Sequence, residues 1–245
     1  MVYGSRKTQP TGGFWPLVRT CFWFKCFGTM GFTAVFFGAY IYLLRNPAGE
    51  VFTMPVTAID RLVTFEPGAL LIYLSLWVYV SLPPVLMPTR REIIEYGVWI
   101  GGLCLIALTI FYFWPNAVPP ANIDWAVYPG MAFLKGVDAA GNACPSLHVA
   151  TAVFSAYWLH WLLPAAGIGR TGNLISTVWC VAIAYSTLAT KQHVAVDVFA
   201  GTALGLLLAW ASRPQRIIAR RARSEADVSY PLDARPVPES SSSIR

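Results

Sequence analysis

Charge is what this chain has least of. Lys, Arg, Asp and Glu make up 12% of its 245 residues, about half the share of an ordinary soluble domain. A water-solvated globular surface is therefore excluded over most of its length. Cysteine supplies no framework either. The five cysteines (Cys21, Cys26, Cys104, Cys144 and Cys180) are odd in number and scattered, which argues against a disulfide scaffold and shows no zinc-ligand spacing. Most lie in or near apolar stretches, where cysteine behaves as a small hydrophobe. No internal repeat is visible. The first apolar run is too long for the core of a secretory signal, and no small-x-small cleavage site follows it, so we read it as a retained helix.

What the chain has instead is apolar length. Hydrophobic residues reach 56% and come in long uncharged runs. A helix needs roughly 20 such residues to cross a bilayer. Six spans are expected, near 24–44, 68–87, 96–114, 147–165, 173–190 and 194–212. Pro83-Pro84 should end or kink the second. The expected fold is all-α: a polytopic six-helix membrane bundle over 24–212. A short N-terminal segment, 1–23, precedes it, and a basic, then disordered, tail, 213–245, follows it. A segment from Val51 to Phe65 has the amphipathic pattern of an interfacial piece.

Basic residues set the orientation. With the N-terminus in the cytoplasm, every Lys and Arg falls on the inner side except Arg45, Arg61, Lys135 and Lys191, out of 18 in all. Both termini are then cytoplasmic. The net charge of +6 is explained by membrane orientation, with no need of a nucleic-acid partner. The arginines after Arg213 suit an anionic cytoplasmic leaflet.

The chemistry concentrates in a few residues. Of three histidines, His148 and His193 begin spans of the same direction, the fourth and the sixth, so topology alone puts both at one membrane face. That face, periplasmic or exterior in a cell (inner) membrane, also carries the longest loop, 115–146. His160 sits among Trp158 and Trp161 and reads as interfacial. Asp197 follows His193 by four residues, the spacing of one helical turn. A carboxylate there would fix the imidazole tautomer and leave the other nitrogen free to attack or bind. Acids in a membrane span usually serve function. Gly201 and Gly205 continue the same face and suit close helix packing. Ser146 opens the fourth span, where free N–H groups favour anions. With Lys191 and Lys135 nearby, the anion suggested is a phosphate.

Pro145-Ser146-Leu147-His148, followed by Ser186 through Lys191-Gln192-His193-Val194-Ala195-Val196-Asp197, resembles the Pro-Ser-x-His and Ser-Arg-x5-His-x3-Asp motifs of the type 2 phosphatidic acid phosphatase (PAP2) superfamily. The likeness departs from the family at Leu147, usually Gly, and at Thr187, usually Arg. A Lys-x6-Arg-Pro first motif is also missing. In Leu147 and the missing first motif it is similar to the inositolphosphotransferase-like branch, which includes inositol phosphorylceramide synthases. The resemblance implies a membrane enzyme that cleaves or transfers a lipid phosphate or diphosphate without metal or cofactor. His193 would be the nucleophile, Asp197 its orienting group and His148 the proton donor. Ser146, Lys191 and Lys135 would stand in for the missing phosphate clamp. Three readings of other classes stay open: a bis-histidine haem protein, a zinc site from His148, His193 and Asp197, and a transporter with a relay carboxylate. Oligomeric state is not read from this pattern.

Overall fold

The computed structural model describes residues 14–137 and 141–229. Among them the chain is helical, with one two-residue-by-two-residue parallel ladder. A short helix α1 (Phe14–Arg19) leads into α2 (Phe22–Arg45). Strand β1 (Phe52–Thr53) and the one-turn helix α3 (Ala58–Leu62) follow. Next come α4 (Leu70–Leu74), α5 (Leu76–Leu86) and α6 (Arg90–Phe113). Strand β2 (Asn116–Ala117) and α7 (Pro129–Val137) precede α8 (Leu147–Ala165), α9 (Arg170–Ala189), α10 (Ala195–Ser212) and α11 (Pro214–Ser229).

Among the described residues, five helical stretches are long and apolar enough to cross a membrane: Phe22–Arg45, Pro67–Leu86, Arg90–Phe113, Arg170–Ala189 and Ala195–Arg223. The fourth expected span is present as a helix with the expected bounds, α8, but it is not among these five. His148, His160, Tyr157, Trp158 and Trp161 dilute its apolar character. They are tolerated because α8 is the hub of the bundle, packed by α5, α6, α9, α10 and α11. Trp158, Phe154 and Leu159 on α8 have no exposed surface at all.

Two sequence expectations change. The second span does not break at its prolines: Pro83 and Pro84 lie inside α5, which runs on to Leu86. At Ser75, where α4 passes into α5, the helical bonds run on, Ser75 N–H to the Leu71 carbonyl and Tyr79 N–H to the Ser75 carbonyl at 3.0 Å each, and Trp179 Nε1 donates to Ser75 Oγ at 2.8 Å. The segment after Arg213, expected as a basic, then disordered, tail, is helical over Pro214–Ser229. Ile217 on that helix is buried and Arg220 reaches Glu95 of α6 at 3.5 Å, so packing on the bundle gives a basic segment a reason to fold. Residues 230–245 lie outside the described residues.

α8 and α10 make the closest pair. A Cβ at Gly201 would sit 2.4 Å from the carbonyl oxygen of Ser146, and one at Gly205 would sit 2.5 Å from that of Ala150. Only glycine permits this approach. It brings the N-termini of both helices to the same end of the molecule. The ladder β1–β2, α3 and α7 belong to that end too, which we call the site end. The opposite end gathers Lys25, Arg90 and Arg220. There Lys25 Nζ donates to the carbonyls of Leu17 (2.6 Å) and Val85 (2.8 Å), tying α1, α2 and the end of α5 together.

Candidate active site

His193 is placed by how α9 ends. Gln192 N–H donates to the Thr187 carbonyl and Lys191 N–H to that of Leu188, the paired bonds of a Schellman motif. The residue in the left-handed conformation is Lys191, at φ 55°, where glycine is usual. The Thr187 carbonyl also accepts from His193 N–H at 3.1 Å. His193 therefore lies in an extended entry, two residues ahead of α10. The four-residue spacing to Asp197 does not place both on one helix, as the sequence suggested. Asp197 sits in the first turn of α10 and reaches back: its Oδ2 accepts the Val194 N–H at 3.0 Å and lies 3.5 Å from His193 Nδ1. That separation exceeds the usual hydrogen-bond range of about 2.7–3.2 Å, and catalytic contacts without substrate are often long. The Asp197 side chain is fully buried. Its backbone carbonyl accepts from Ser146 N–H at 3.1 Å, which ties the start of α8 to the start of α10.

His148 occupies the first turn of α8. Its ring stacks on Tyr73 of α4, centroids 3.9 Å apart and planes at 16°. Its Nε2 lies 2.9 Å from the Tyr73 carbonyl oxygen. A carbonyl can only accept, so Nε2 carries the hydrogen and Nδ1 is the nitrogen left for proton exchange. His148 and His193 line the same cavity, of about 820 Å³.

The other expected site residues are arranged differently. Ser146 has no exposed surface, and its hydroxyl accepts Val149 N–H at 3.3 Å, capping α8; it lies under the site as a structural cap. The Lys191 ammonium donates to the carbonyls of Asp60 and Val63, so it fastens the α3 segment to the turn that carries His193. Lys135 belongs to α7, whose Leu134 lines the cavity; the side chain of Lys135 is outside the described residues. Thr187, where the resembled motif has Arg, is buried with its hydroxyl on the Ala184 carbonyl. Among the described residues no group of three His, Cys, Asp or Glu is placed to hold a metal.

Three supporting residues carry no local signal in the sequence. Tyr73 fixes the His148 ring from 75 positions away. Asn116, 1% exposed, accepts Ala143 N–H (2.8 Å) and Cys144 N–H (2.7 Å) on Oδ1, and donates from Nδ2 to the Trp114 and Cys144 carbonyls at 2.9 Å each. It clamps the loop that delivers Ser146 and His148. Asp60, within the segment read as interfacial, accepts Ala195 N–H on Oδ1 at 2.7 Å and Thr57 N–H on Oδ2 at 2.7 Å.

Comparison with known proteins agrees with this part of the chain. The family model of the PAP2 superfamily matches residues 114–220, which takes in both histidines, Asp197 and helices α8 to α10. Helices α1 to α6 lie outside the match. No curated protein and no solved structure matches the chain.

Proposed function

We propose that this chain is a membrane-embedded, PAP2-type lipid phosphatase, with six membrane-crossing helices counting α8, that removes phosphate from a lipid phosphate or diphosphate at the non-cytoplasmic face. One observation carries the reading: His148 and His193 open onto one cavity while Asp197 stands behind His193 at 3.5 Å. The match of the PAP2 model over the same residues supports it.

The residues suit a double displacement. With its Nδ1 hydrogen turned to Asp197, His193 presents Nε2 to phosphorus. The N–P bond forms as the P–O bond to the lipid breaks, and His148 gives the Nδ1 proton of its imidazolium form to the leaving oxygen. Asp197 stabilises the positive phosphoimidazole ring. Water then attacks phosphorus, His148 takes its proton, the N–P bond breaks and phosphate leaves. Each proton transfer of this kind is worth about 10²- to 10⁴-fold in rate. Lys191 acts by the field of its charge beside His193. No step calls on a metal or a cofactor. A haem reading loses support because His148 Nε2 is engaged by Tyr73 and its ring face is covered.

A second reading uses the same residues. If an alcohol replaces water in the second step, the enzyme is a phosphotransferase. Leu147 and Thr187, at the positions where PAP2 phosphatases usually have Gly and Arg, favour it, as does the missing Lys-x6-Arg-Pro segment. Purified protein in phosphatidylcholine vesicles, offered lipid phosphates and diphosphates with and without alcohol acceptors, separates the two. Free phosphate supports hydrolysis. A new phospholipid without free phosphate supports transfer. Neither product from any substrate, with His193 intact, contradicts both.

A further inference from the structure

The end of the bundle opposite the histidines carries a second cavity, of about 310 Å³, between the start of α6 and α11. Arg91, Arg220 and Arg221 line it together with Thr89, Glu92 and Glu95. Its space equals about ten waters at about 30 Å³ each, the scale of one phosphodiester headgroup. Glu95 joins the two helices across it. Its Oε1 accepts from Arg91 Nε at 3.0 Å, and its Oε2 lies 3.5 Å from the Arg220 guanidinium. One carboxylate thus holds two guanidinium groups at the rim, and both keep more than half of their surface open. Glu92 is buried, within the field of Lys25. The cavity is left with three arginines set against Glu95.

The sequence of α11 explains its place there. The chain leaves α10 at Arg213, left-handed at φ 49°, and α11 then lays Ile217 and Ile218 on the core. Arg216, Arg220 and Arg223, at steps of four and three, form an exposed stripe on the same helix. Arg90 and Arg91 are exposed across the cavity at the start of α6. The Arg90 guanidinium lies over the ring of Phe24 in α2, 5.6 Å from its centroid. Trp23 and Phe27, next to Phe24, are exposed, as the aromatic belt at a membrane–water boundary is. The cavity therefore stands at the depth of lipid headgroups.

We infer that this cavity binds the headgroup of an anionic phospholipid from the adjoining leaflet, with Arg91, Arg220 and Arg221 around its phosphodiester. The bias of basic residues makes that leaflet the cytoplasmic one, where anionic lipids attract such clusters. Guanidinium groups present planar pairs of donors that match phosphate oxygens. Four arginines fall within eight residues of α11, 216–223, more than Glu95 can neutralise. A merely solvated face would not bring guanidinium groups from two helices around one cavity. The site is remote from the histidines and does not depend on the reaction proposed for them.

The test titrates the full chain in detergent micelles with dioleoyl phosphatidylglycerol, dioleoyl phosphatidylcholine or inorganic phosphate, and reads binding by native mass spectrometry. We expect phosphatidylglycerol to bind about tenfold more tightly than phosphatidylcholine, and inorganic phosphate at equal concentration not to displace it. An arginine facing anionic lipid is worth about fivefold in affinity, so Arg220→Gln and Arg221→Gln should each weaken phosphatidylglycerol by about that factor. Arg170→Gln alters an exposed arginine at the start of α9, outside the cavity, and should change nothing. Glu95→Gln keeps an acceptor for both arginines and removes the opposing charge, so binding should tighten severalfold. If the arginines served only to pack α11 on α6, the same change would weaken it. Equal affinity for the two lipids, equal losses in Arg170→Gln and Arg220→Gln, displacement by inorganic phosphate at equal concentration, or weaker binding in Glu95→Gln would each overturn the inference.

Discussion

Asp60 accepts the backbone N–H of Ala195 at 2.7 Å across 135 positions of chain. The contact reaches the first residue of α10 two positions after His193, and the backbone carbonyl of the same Asp60 accepts from Lys191 Nζ. Glu66 N–H donates to the Ala189 carbonyl at 3.0 Å on the other side of the turn. The 57–66 segment is thus laced to the 189–195 turn from both ends, and Asp60 is the lace nearest the histidine.

Asp60 is therefore a positioning residue. Asp60→Ala leaves the Ala195 N–H, which is buried with its residue, without a partner, at a cost of about 1–3 kcal/mol. We expect kcat to fall by about an order of magnitude with KM little changed. Asp60→Asn keeps an acceptor oxygen and should recover most of the loss. Steady-state kinetics on both variants check this. Equal loss in Asn and Ala would show that the charge of Asp60, and not its hydrogen bond, matters.

The glycines separate into two kinds with opposite responses to one added methyl. Gly201→Ala and Gly205→Ala drive a Cβ to within 2.4 and 2.5 Å of backbone oxygens in α8. Over-packing of this sort costs about 1–3 kcal/mol, and it separates the helices that carry the site. Gly28→Ala meets nothing within 4 Å and should be neutral or more stable by up to about 1 kcal/mol. Thermal unfolding of detergent-solubilised variants should show the first two lowered and the third not.

Cys144 lies in the loop before α8, its thiol pushed up to about 11 from its usual 9.0 by burial first and by the charge of Asp197 second. Only the thiolate is nucleophilic, and its fraction grows as pH rises through the folded value. Alkylation of Cys144 should accordingly climb toward pH 11 without levelling off near 9. Asp197→Asn removes the second cause and should move the profile to lower pH. Mass-spectrometric labelling from pH 8 to 11 reads both, and an unchanged profile in the variant would contradict the second cause.

Much of this arrangement could be read before any coordinates, because it depends on local pattern. The helix bounds follow apolar run length. Gly201 and Gly205 stand at the spacing of a packing face, and they do pack. The presence of His148 and His193 at one end follows from counting helices. What was missed depends on contacts across 75 to 135 positions, which no local spacing reports: Tyr73 on His148, Asp60 on α10, and Lys191 drawn toward Asp60 and Val63. Ser146 has the pattern of an anion-binding helix start, but the close approach of Gly201 buries it. Pro83 and Pro84 come late enough in α5 for the helix to absorb them.

The central claim is that phosphorus passes through His193. Brief reaction with a lipid substrate carrying radioactive phosphate, followed by alkaline quenching and peptide mapping, tests it most directly. The account predicts an acid-labile, alkali-stable phosphopeptide containing His193, lost in His193→Ala. Phosphate release continuing at full rate in His193→Ala, or a label on any other residue, would contradict it.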